Sequence, residues 1–87
     1  MKIEVNREDI ESGVRADCDL CPVALAIVRS AEVGCEVGSY FVTLFAGSGG
    51  KKMVELPLPA MRFIQRFDAC KPVSPFTFDL EIPEATK

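Results

Sequence analysis

Alternation of hydrophobic and polar residues marks a strand near each end of the chain. In residues 2–6, KIEVN, Ile3 and Val5 fall on one side and the polar residues on the other. Residues 76–82, FTFDLEI, show the same pattern, with Phe76, Phe78, Leu80 and Ile82 on the inner side. Both segments are therefore predicted to be half-buried strands.

The middle of the chain predicts a hairpin. Residues 39–46, SYFVTLFA, are rich in aromatic and β-branched residues, which is typical of a central strand. GSGG at 47–50 predicts a turn, KKMVELP at 51–57 the returning strand, and Cys35–Val37 a short strand before them. Because YFVTLF carries apolar side chains on both faces, we expect a partner chain to cover one face.

A first helix is predicted to begin at Pro22, because the missing N–H of proline costs nothing in the first turn. Cys21 then falls at or near the N-cap. The run VALAIVRSA continues to Ala31 and is apolar nearly all round, which indicates deep burial, and Gly34 is expected to stop it.

A second helix is predicted over residues 59–69, opened by Pro59 and ending near Cys70. Its apolar stripe at helical spacing consists of Ala60, Phe63, Ile64 and Phe67. Residues 7–17 are polar and are predicted to be a loop.

These elements predict a single α+β domain over residues 1–87, in the order β-α-(β)-β-β-α-β. The sheet is expected to be antiparallel or mixed, with both helices on one face. A chain of 87 residues has a thin stability margin, so self-association as a dimer or larger oligomer is expected.

Charge and hydropathy exclude some classes of function. A net charge of −3 and a pI near 4.9 argue against broad nucleic-acid binding, which needs clustered lysine and arginine. The first twelve residues lack the apolar core of a signal peptide, and no run approaches the roughly 18 apolar residues of a membrane span. We therefore expect a cytoplasmic protein without a membrane partner.

Cys18 and Cys21 form a C-x-x-C pair that allows three interpretations. A zinc site needs about four ligands, and this chain has no histidine, so Cys35 and Cys70 would have to converge on the pair. A redox pair is favoured by the helix N-terminus, which lowers thiol pKa values. The interpretation we favour is structural, with Cys21 capping the helix and Cys18 shaping the loop. Cys18 and Cys21 remain the candidate metal ligands, zinc is the candidate ion, and no other cofactor is expected.

Arg62 and Arg66 lie one helical turn apart and share a face. With Lys51 nearby and Tyr40 as an aromatic platform, they are candidates for holding a small anionic ligand such as a nucleotide at a subunit interface. The alternative, which we favour, is a pair of solvated arginines on an amphipathic helix.

No catalytic pattern stands out. Without histidine, acid–base chemistry would fall to other side chains, and Glu55, Asp79 and Glu81 are isolated on predicted strand faces. We therefore expect a protein that is not an enzyme.

Two segments together resemble a family of small proteins of unknown function from bacteriophages and prophage-bearing bacteria. The first is a "C-x-x-C-P-x-A-x-A" helix start, matched by Cys18, Cys21, Pro22, Ala24 and Ala26. The second is "P-x-x-x-x-x-F-x-x-x-F-D-x-G-x-P-V-x-P-F-x-F-x-L", matched by Pro57, Phe63, Phe67, Asp68, Pro72, Val73, Pro75, Phe76, Phe78 and Leu80. Cys70 stands where the family has glycine, the usual residue of a left-handed helix end, which weakens the case for Cys70 as a metal ligand.

The resemblance implies a phage-type accessory protein in the cytoplasm of a bacterial host. Such a protein would act by binding, and its partner would be a host protein, for example a component of a defence system that it inhibits. Two other hypotheses remain open: an oligomeric sequestrant of a small anionic or nucleotide ligand, and a cysteine-based zinc or redox module.

Overall fold

The computed structural model describes residues 1–15, 17–45 and 49–81. Within these ranges the strands are β1 (Lys2–Val5), β2 (Gly34–Val37), β3 (Phe41–Phe45), β4 (Lys51–Glu55) and β5 (Phe76–Asp79). The helices are α1 (Arg7–Ser12), α2 (Pro22–Ala31) and α3 (Leu58–Asp68). The predicted α+β class is confirmed, and so is the strand predicted at Cys35–Val37.

All strand pairs are antiparallel, one of the two arrangements predicted, but the strands form two sheets rather than the single sheet expected. β1 pairs with β5, and β2, β3 and β4 form a separate sheet in that order. Helix α2 packs against a strand of each sheet, β1 of the first and β2 of the second. Reciprocal backbone hydrogen bonds between Met1 and Leu80 extend the first sheet by one residue pair.

Helix α1 lies in the segment that the polar pattern predicted as a loop. Asn6 is its N-cap and accepts the Asp9 N–H at 2.9 Å, while the Asp9 carboxylate accepts the Asn6 N–H at 3.0 Å. Asp9 is only 5% exposed and also forms an ion pair with Arg29 of α2. Arg29 in turn donates to the Glu4 carbonyl of β1 at 2.6 Å. The prediction failed because this helix is held by polar contacts and has almost no apolar stripe.

Helix α2 begins as predicted. Cys21 is the N-cap, and its Sγ accepts the Ala24 N–H at 3.4 Å. The helix ends at Ala31, as predicted. The residue that ends it is not Gly34 but Glu32, the C-cap, which adopts a left-handed conformation with φ 57°. Gly34 instead begins β2.

Helix α3 begins one residue before the predicted Pro59, with Pro57 as its N-cap. Ala60, Phe63 and Ile64 are buried along its predicted stripe. The helix closes as predicted near Cys70, which has a φ of 64°.

One continuous core joins both sheets and the two longer helices. Ile3 and Phe78 reach it from the first sheet, Ile27 from α2, and Leu44 and Leu56 from the second sheet and the segment after it. Helix α2 and both sheets therefore share a single hydrophobic core.

Parts of several predictions lie outside the described residues: position 16 of the predicted loop, positions 46–48 with half of the predicted GSGG turn, and Ile82 of the last predicted strand.

Among the described residues, none of the helices has the length and hydropathy that crossing a bilayer requires.

Candidate functional site

The sheet of β2, β3 and β4 has one buried face and one open face. Val42 and Leu44 of β3 are buried, and Val54 of β4 lies opposite Val42 on the same side. Successive side chains of a strand point to opposite faces, so the alternate residues form the open side. We call this open side the outer face; it carries Glu36, Phe41, Thr43, Phe45, Lys51, Met53 and Glu55.

Large apolar side chains are exposed on the outer face and just before β3, beside that face. Tyr40 is 60% exposed, Phe41 47% and Met53 64%. With Glu36 and Thr43, they line a cleft of about 330 Å³, which we call the sheet-face cleft. Single exposed apolar residues are normal on a protein surface, but a contiguous group of this kind is typical of an interaction surface.

Charged residues surround this apolar centre. On β4, Glu55 lies opposite Phe41 and Lys51 lies opposite Phe45, while Glu36 of β2 lies opposite Thr43. An apolar centre with a charged, solvated rim is the usual anatomy of a protein–protein interface.

The four predicted ligand-binding residues do not lie together. Tyr40 lines the sheet-face cleft and Lys51 is at the start of β4. Arg62 and Arg66 both line a different cleft, beside α3. The structure therefore brings the two arginines together but separates them from Tyr40 and Lys51.

The cleft beside α3, which we call the arginine cleft, has a volume of about 440 Å³. Phe63 and Phe76 form part of its wall, with ring centroids 4.8 Å apart. Arg66 donates from Nε and Nη2 to the Pro72 carbonyl at 3.3 and 3.2 Å, so this guanidinium holds the segment after α3. Arg62 is exposed at the cleft rim and has the freer guanidinium of the two.

A third cleft, of about 190 Å³, lies at the N-terminus of α2 and is lined by both cysteines of the C-x-x-C pair. Cys21 is 5% exposed, and its sulfur is engaged as the helix cap. Cys18 is exposed, and its Sγ donates to Asp19 Oδ1 at 3.7 Å. The two thiols therefore have different environments, as the structural interpretation of the pair expects.

The pKa values of these thiols move in the direction opposite to the one that the redox interpretation expects. Burial raises the pKa of Cys21, although its hydrogen bond from the Ala24 N–H lowers it. Desolvation and the carboxylates of Asp19 and Glu36 raise the pKa of Cys18. Acidic neighbours and burial thus outweigh the helix N-terminus and favour the protonated form of both thiols.

The four cysteines do not form a common metal site within the described part of the chain. Ligand atoms of Cys18, Asp19 and Glu36 lie within 4.8 Å of one another, and Cys21 is not in this group. All three residues are exposed, and such groups are common on protein surfaces. Cys35 is buried and donates to the Ala24 carbonyl at 3.8 Å, while Cys70 is exposed at the end of α3.

Sequence reasoning missed Met53 and Glu36 as parts of the candidate site. Met53 is the most exposed large apolar residue in the described part of the chain, and it lies directly opposite Thr43. A period-two analysis of KKMVE, aligned with the apolar strand before it, would have placed Met53 on the outer face. Glu36 gives no such signal, because a charged residue on a short strand is common.

The chain was compared with protein-family models, with curated proteins and with solved structures, and none of them matches it. The resemblance to the phage family stays a prediction.

Proposed function

We propose that this protein is a non-enzymatic interaction protein that binds a partner protein on the outer face of its three-stranded sheet. The observation that carries this proposal is the exposure of Tyr40, Phe41 and Met53 around one cleft. These side chains are large, and aromatic residues and methionine are enriched at protein interfaces.

The lack of a catalytic arrangement in the described residues supports binding over catalysis. The thiols at the N-terminus of α2 have raised pKa values, and the chain contains no histidine. The ion pair between Asp9 and Arg29 joins α1 to α2 rather than lining a cleft.

A host protein is the partner that the resemblance to phage proteins favours. A phage-type accessory protein would bind a bacterial component, such as one used in defence, and inhibit it by occupying its surface. The sheet-face cleft suits a partner that inserts an apolar side chain, while Glu36, Lys51 and Glu55 would contact polar groups around it.

The test is site-specific photo-crosslinking in a bacterial host. Benzoylphenylalanine would replace Tyr40 in one version of the protein and Val28 in another. Val28 is the matched control because it is 46% exposed but lies on α2, away from the outer face. A host protein crosslinked from position 40 and not from position 28 supports the proposal.

Substitutions on and off the outer face then test whether the partner binds there. Phe41→Lys places a charge in the sheet-face cleft and should abolish that crosslink, while Val28→Lys should leave it unchanged. Equal crosslinking from both positions, or a crosslink that survives Phe41→Lys, would contradict the proposal.

A second candidate function is binding of a small anion in the arginine cleft. Two guanidinium groups beside two stacked phenylalanine rings suit a ligand with a phosphate and an aromatic base. A ligand that binds only the folded state must raise the melting temperature, so a panel of nucleotides and inorganic phosphate tests it by thermal shift.

The variant for this test is Arg62→Gln, because Arg66 also supports the backbone at Pro72. Arg7→Gln removes the same charge from α1 and serves as the matched control. A shift that is lost in Arg62→Gln and kept in Arg7→Gln supports this function. No shift with any compound would remove it.

A further inference from the structure

β4 forms one edge of the three-stranded sheet. A strand at a sheet edge presents unpaired backbone N–H and C=O groups and can pair with another chain. Residues of the described ranges cover the other edge in part, because the Val37 N–H of β2 donates to the Cys18 carbonyl at 2.8 Å. No described residue covers β4 in this way.

The register identifies which backbone groups of β4 face outward. The Leu56 N–H donates to the Tyr40 carbonyl, and hydrogen-bonded pairs alternate along an antiparallel ladder. Val54 and Lys52 therefore direct their backbone groups toward β3. Lys51, Met53 and Glu55 direct theirs to the open side.

A second copy of β4 matches this edge in one antiparallel register. With Met53 opposite Met53 of the other copy, Lys51 lies opposite Glu55, and every outward-facing residue meets another outward-facing residue. Each of these pairs can exchange two backbone hydrogen bonds. Opposite charges across a strand pair stabilise it, and like charges destabilise it.

Moving the centre of the pairing between the two β4 strands by one residue in either direction gives less favourable pairs. A register centred on Lys52 places two lysines directly opposite each other, which is repulsive. A register centred on Val54 places Lys51 opposite Pro57, which has no N–H to donate. The charge pattern of KKMVE is therefore complementary to itself only when Met53 is central.

The outer edge of β5 does not carry a charge pattern that is complementary to itself. Its outward-facing residues are Thr77 and Asp79, as the reciprocal bonds of Met1 with Leu80 and the register of β1 and β5 require. Pro75 precedes the strand and cannot donate, and the only charged residue there is acidic.

We infer that two copies of this chain pair along β4, antiparallel and centred on Met53, to form one six-stranded sheet. The dimer joins the two outer faces, so that Met53 of each copy meets the other and the two sheet-face clefts become one apolar surface. This interface is the strand edge, and it is distinct from the face proposed above for a foreign protein.

The test is a charge exchange, measured as a dimer dissociation constant by analytical ultracentrifugation. Lys51→Glu places two glutamates opposite each other, Glu55→Lys places two lysines opposite each other, and each occurs twice in the dimer. Each single variant should raise the dissociation constant about tenfold or more. The double variant, Lys51→Glu with Glu55→Lys, should return it close to the wild-type value.

Met53→Pro provides a second probe. It removes an outward N–H at the centre of the interface without removing a bond to β3, so the monomer should keep its fold and lose the dimer. Circular dichroism checks that fold, and the charge exchange decides the question if this variant unfolds.

Each outcome of these experiments either supports or overturns pairing along β4. A dimer weakened by each single charge variant and restored by the double variant supports the inference. A monomer at all soluble concentrations overturns it, as does a dimer insensitive to these variants or one that the double variant fails to restore. A dimer disrupted by Phe41→Lys but not by the edge variants would place the interface on the face instead, and also overturns it.

Discussion

Cys70 and Glu32 have a positive φ, of 64° and 57°, and each follows a helix. Cys70 is the residue after the C-cap of α3, where the Lys71 N–H reaches the Arg66 carbonyl at 2.9 Å and the Cys70 N–H reaches the Phe67 carbonyl at 3.1 Å. This is the Schellman arrangement, in which glycine is preferred because it has no Cβ. Cysteine at this position therefore carries backbone strain.

Replacing Cys70 by glycine should stabilise the protein. The left-handed conformation costs an L-residue roughly 1–2 kcal/mol, and the larger entropy of glycine in the unfolded chain offsets part of the gain, which leaves about 0.5–1 kcal/mol. Chemical denaturation measures this. Ala69→Gly, at the neighbouring position with a negative φ, is the control and should not stabilise. Equal effects of the two changes would show that the strain argument is wrong.

Cys35 predicts a loss of stability at alkaline pH. Burial raises the pKa of its thiol from 9.0 to about 12. Between these values the unfolded state has lost the proton that the folded state keeps, so the unfolding free energy falls as pH rises, by about 1.4 kcal/mol per pH unit for this group. The contribution is intact below pH 9.0.

Urea unfolding at a series of pH values checks this prediction. Cys35→Ala should show a shallower alkaline decline than the wild type, and Cys70→Ala, at an exposed thiol, should keep the wild-type decline. Parallel curves for all three proteins would show that ionisation of Cys35 is not linked to unfolding.

At the scale of elements, the junction of α1 with α2 depends on a close approach at Gly13. Its φ is −70°, which any residue can adopt, but a Cβ there would lie 2.5 Å from Cγ and Cδ of Pro22. Pro22 is buried and its ring is rigid, so it cannot move aside. Position 13 thus needs glycine because a Cβ would clash with Pro22, and not because of its backbone conformation.

Gly13→Ala should therefore destabilise the protein by about 1–3 kcal/mol, as overpacking does in a buried site. Without the clash, the same change would stabilise by about 0.4–1 kcal/mol through the unfolded state, so the sign of the effect is diagnostic. Gly34→Ala is the control, because its nearest contact, with the Phe45 ring, is an ordinary 3.6 Å. Thermal denaturation of both variants measures the difference, and a stabilising Gly13→Ala would refute the argument.

The elements with a clear period were predictable from the sequence. The alternation around Ile3 and Phe78 and the stripe that includes Phe63 each placed an element within a few residues. The start of α2 was predictable because Pro22 has one favourable place in a helix. Helix α1 was not, because its stability comes from the reciprocal bonds of Asn6 and Asp9, and polar segments with such caps look like loops.

The candidate site was predictable only in part. That β3 carries apolar residues on both faces, and so leaves some exposed, followed from its composition. The position of Met53 beside Thr43 depends on register, and the separation of Tyr40 from Arg62 depends on which elements pack together. Neither is encoded in local periodicity.

For the whole molecule, α2 is the element that makes two sheets into one structure. It packs against β1 and β2, and its buried residues belong to the same core as those of both sheets. The two-stranded sheet would have little stability alone, since an isolated strand pair is marginal in water. The sheets should therefore unfold together.

Ile27→Ala tests this cooperativity. Ile27 is fully buried on α2, and the truncation should cost about 3 kcal/mol. Native-state hydrogen exchange should show amide protection falling by a similar amount in β1 and β5 and in β2, β3 and β4. Val28→Ala, at an exposed position of the same helix, should change neither sheet. Loss of protection in one sheet alone would mean that the sheets open independently.

The pairing of Lys2 with Asp79 has a consequence for how a newly made chain folds on the ribosome. β1 is synthesised early, but its partner β5 leaves the exit tunnel only after α3 and the segment that follows it. The second sheet, built from local pairings, can form much sooner, since contacts close in sequence need little loop closure. The nascent chain therefore spends the intervening seconds with the pairing edge of β1 open, and during this interval a chaperone would bind it most readily.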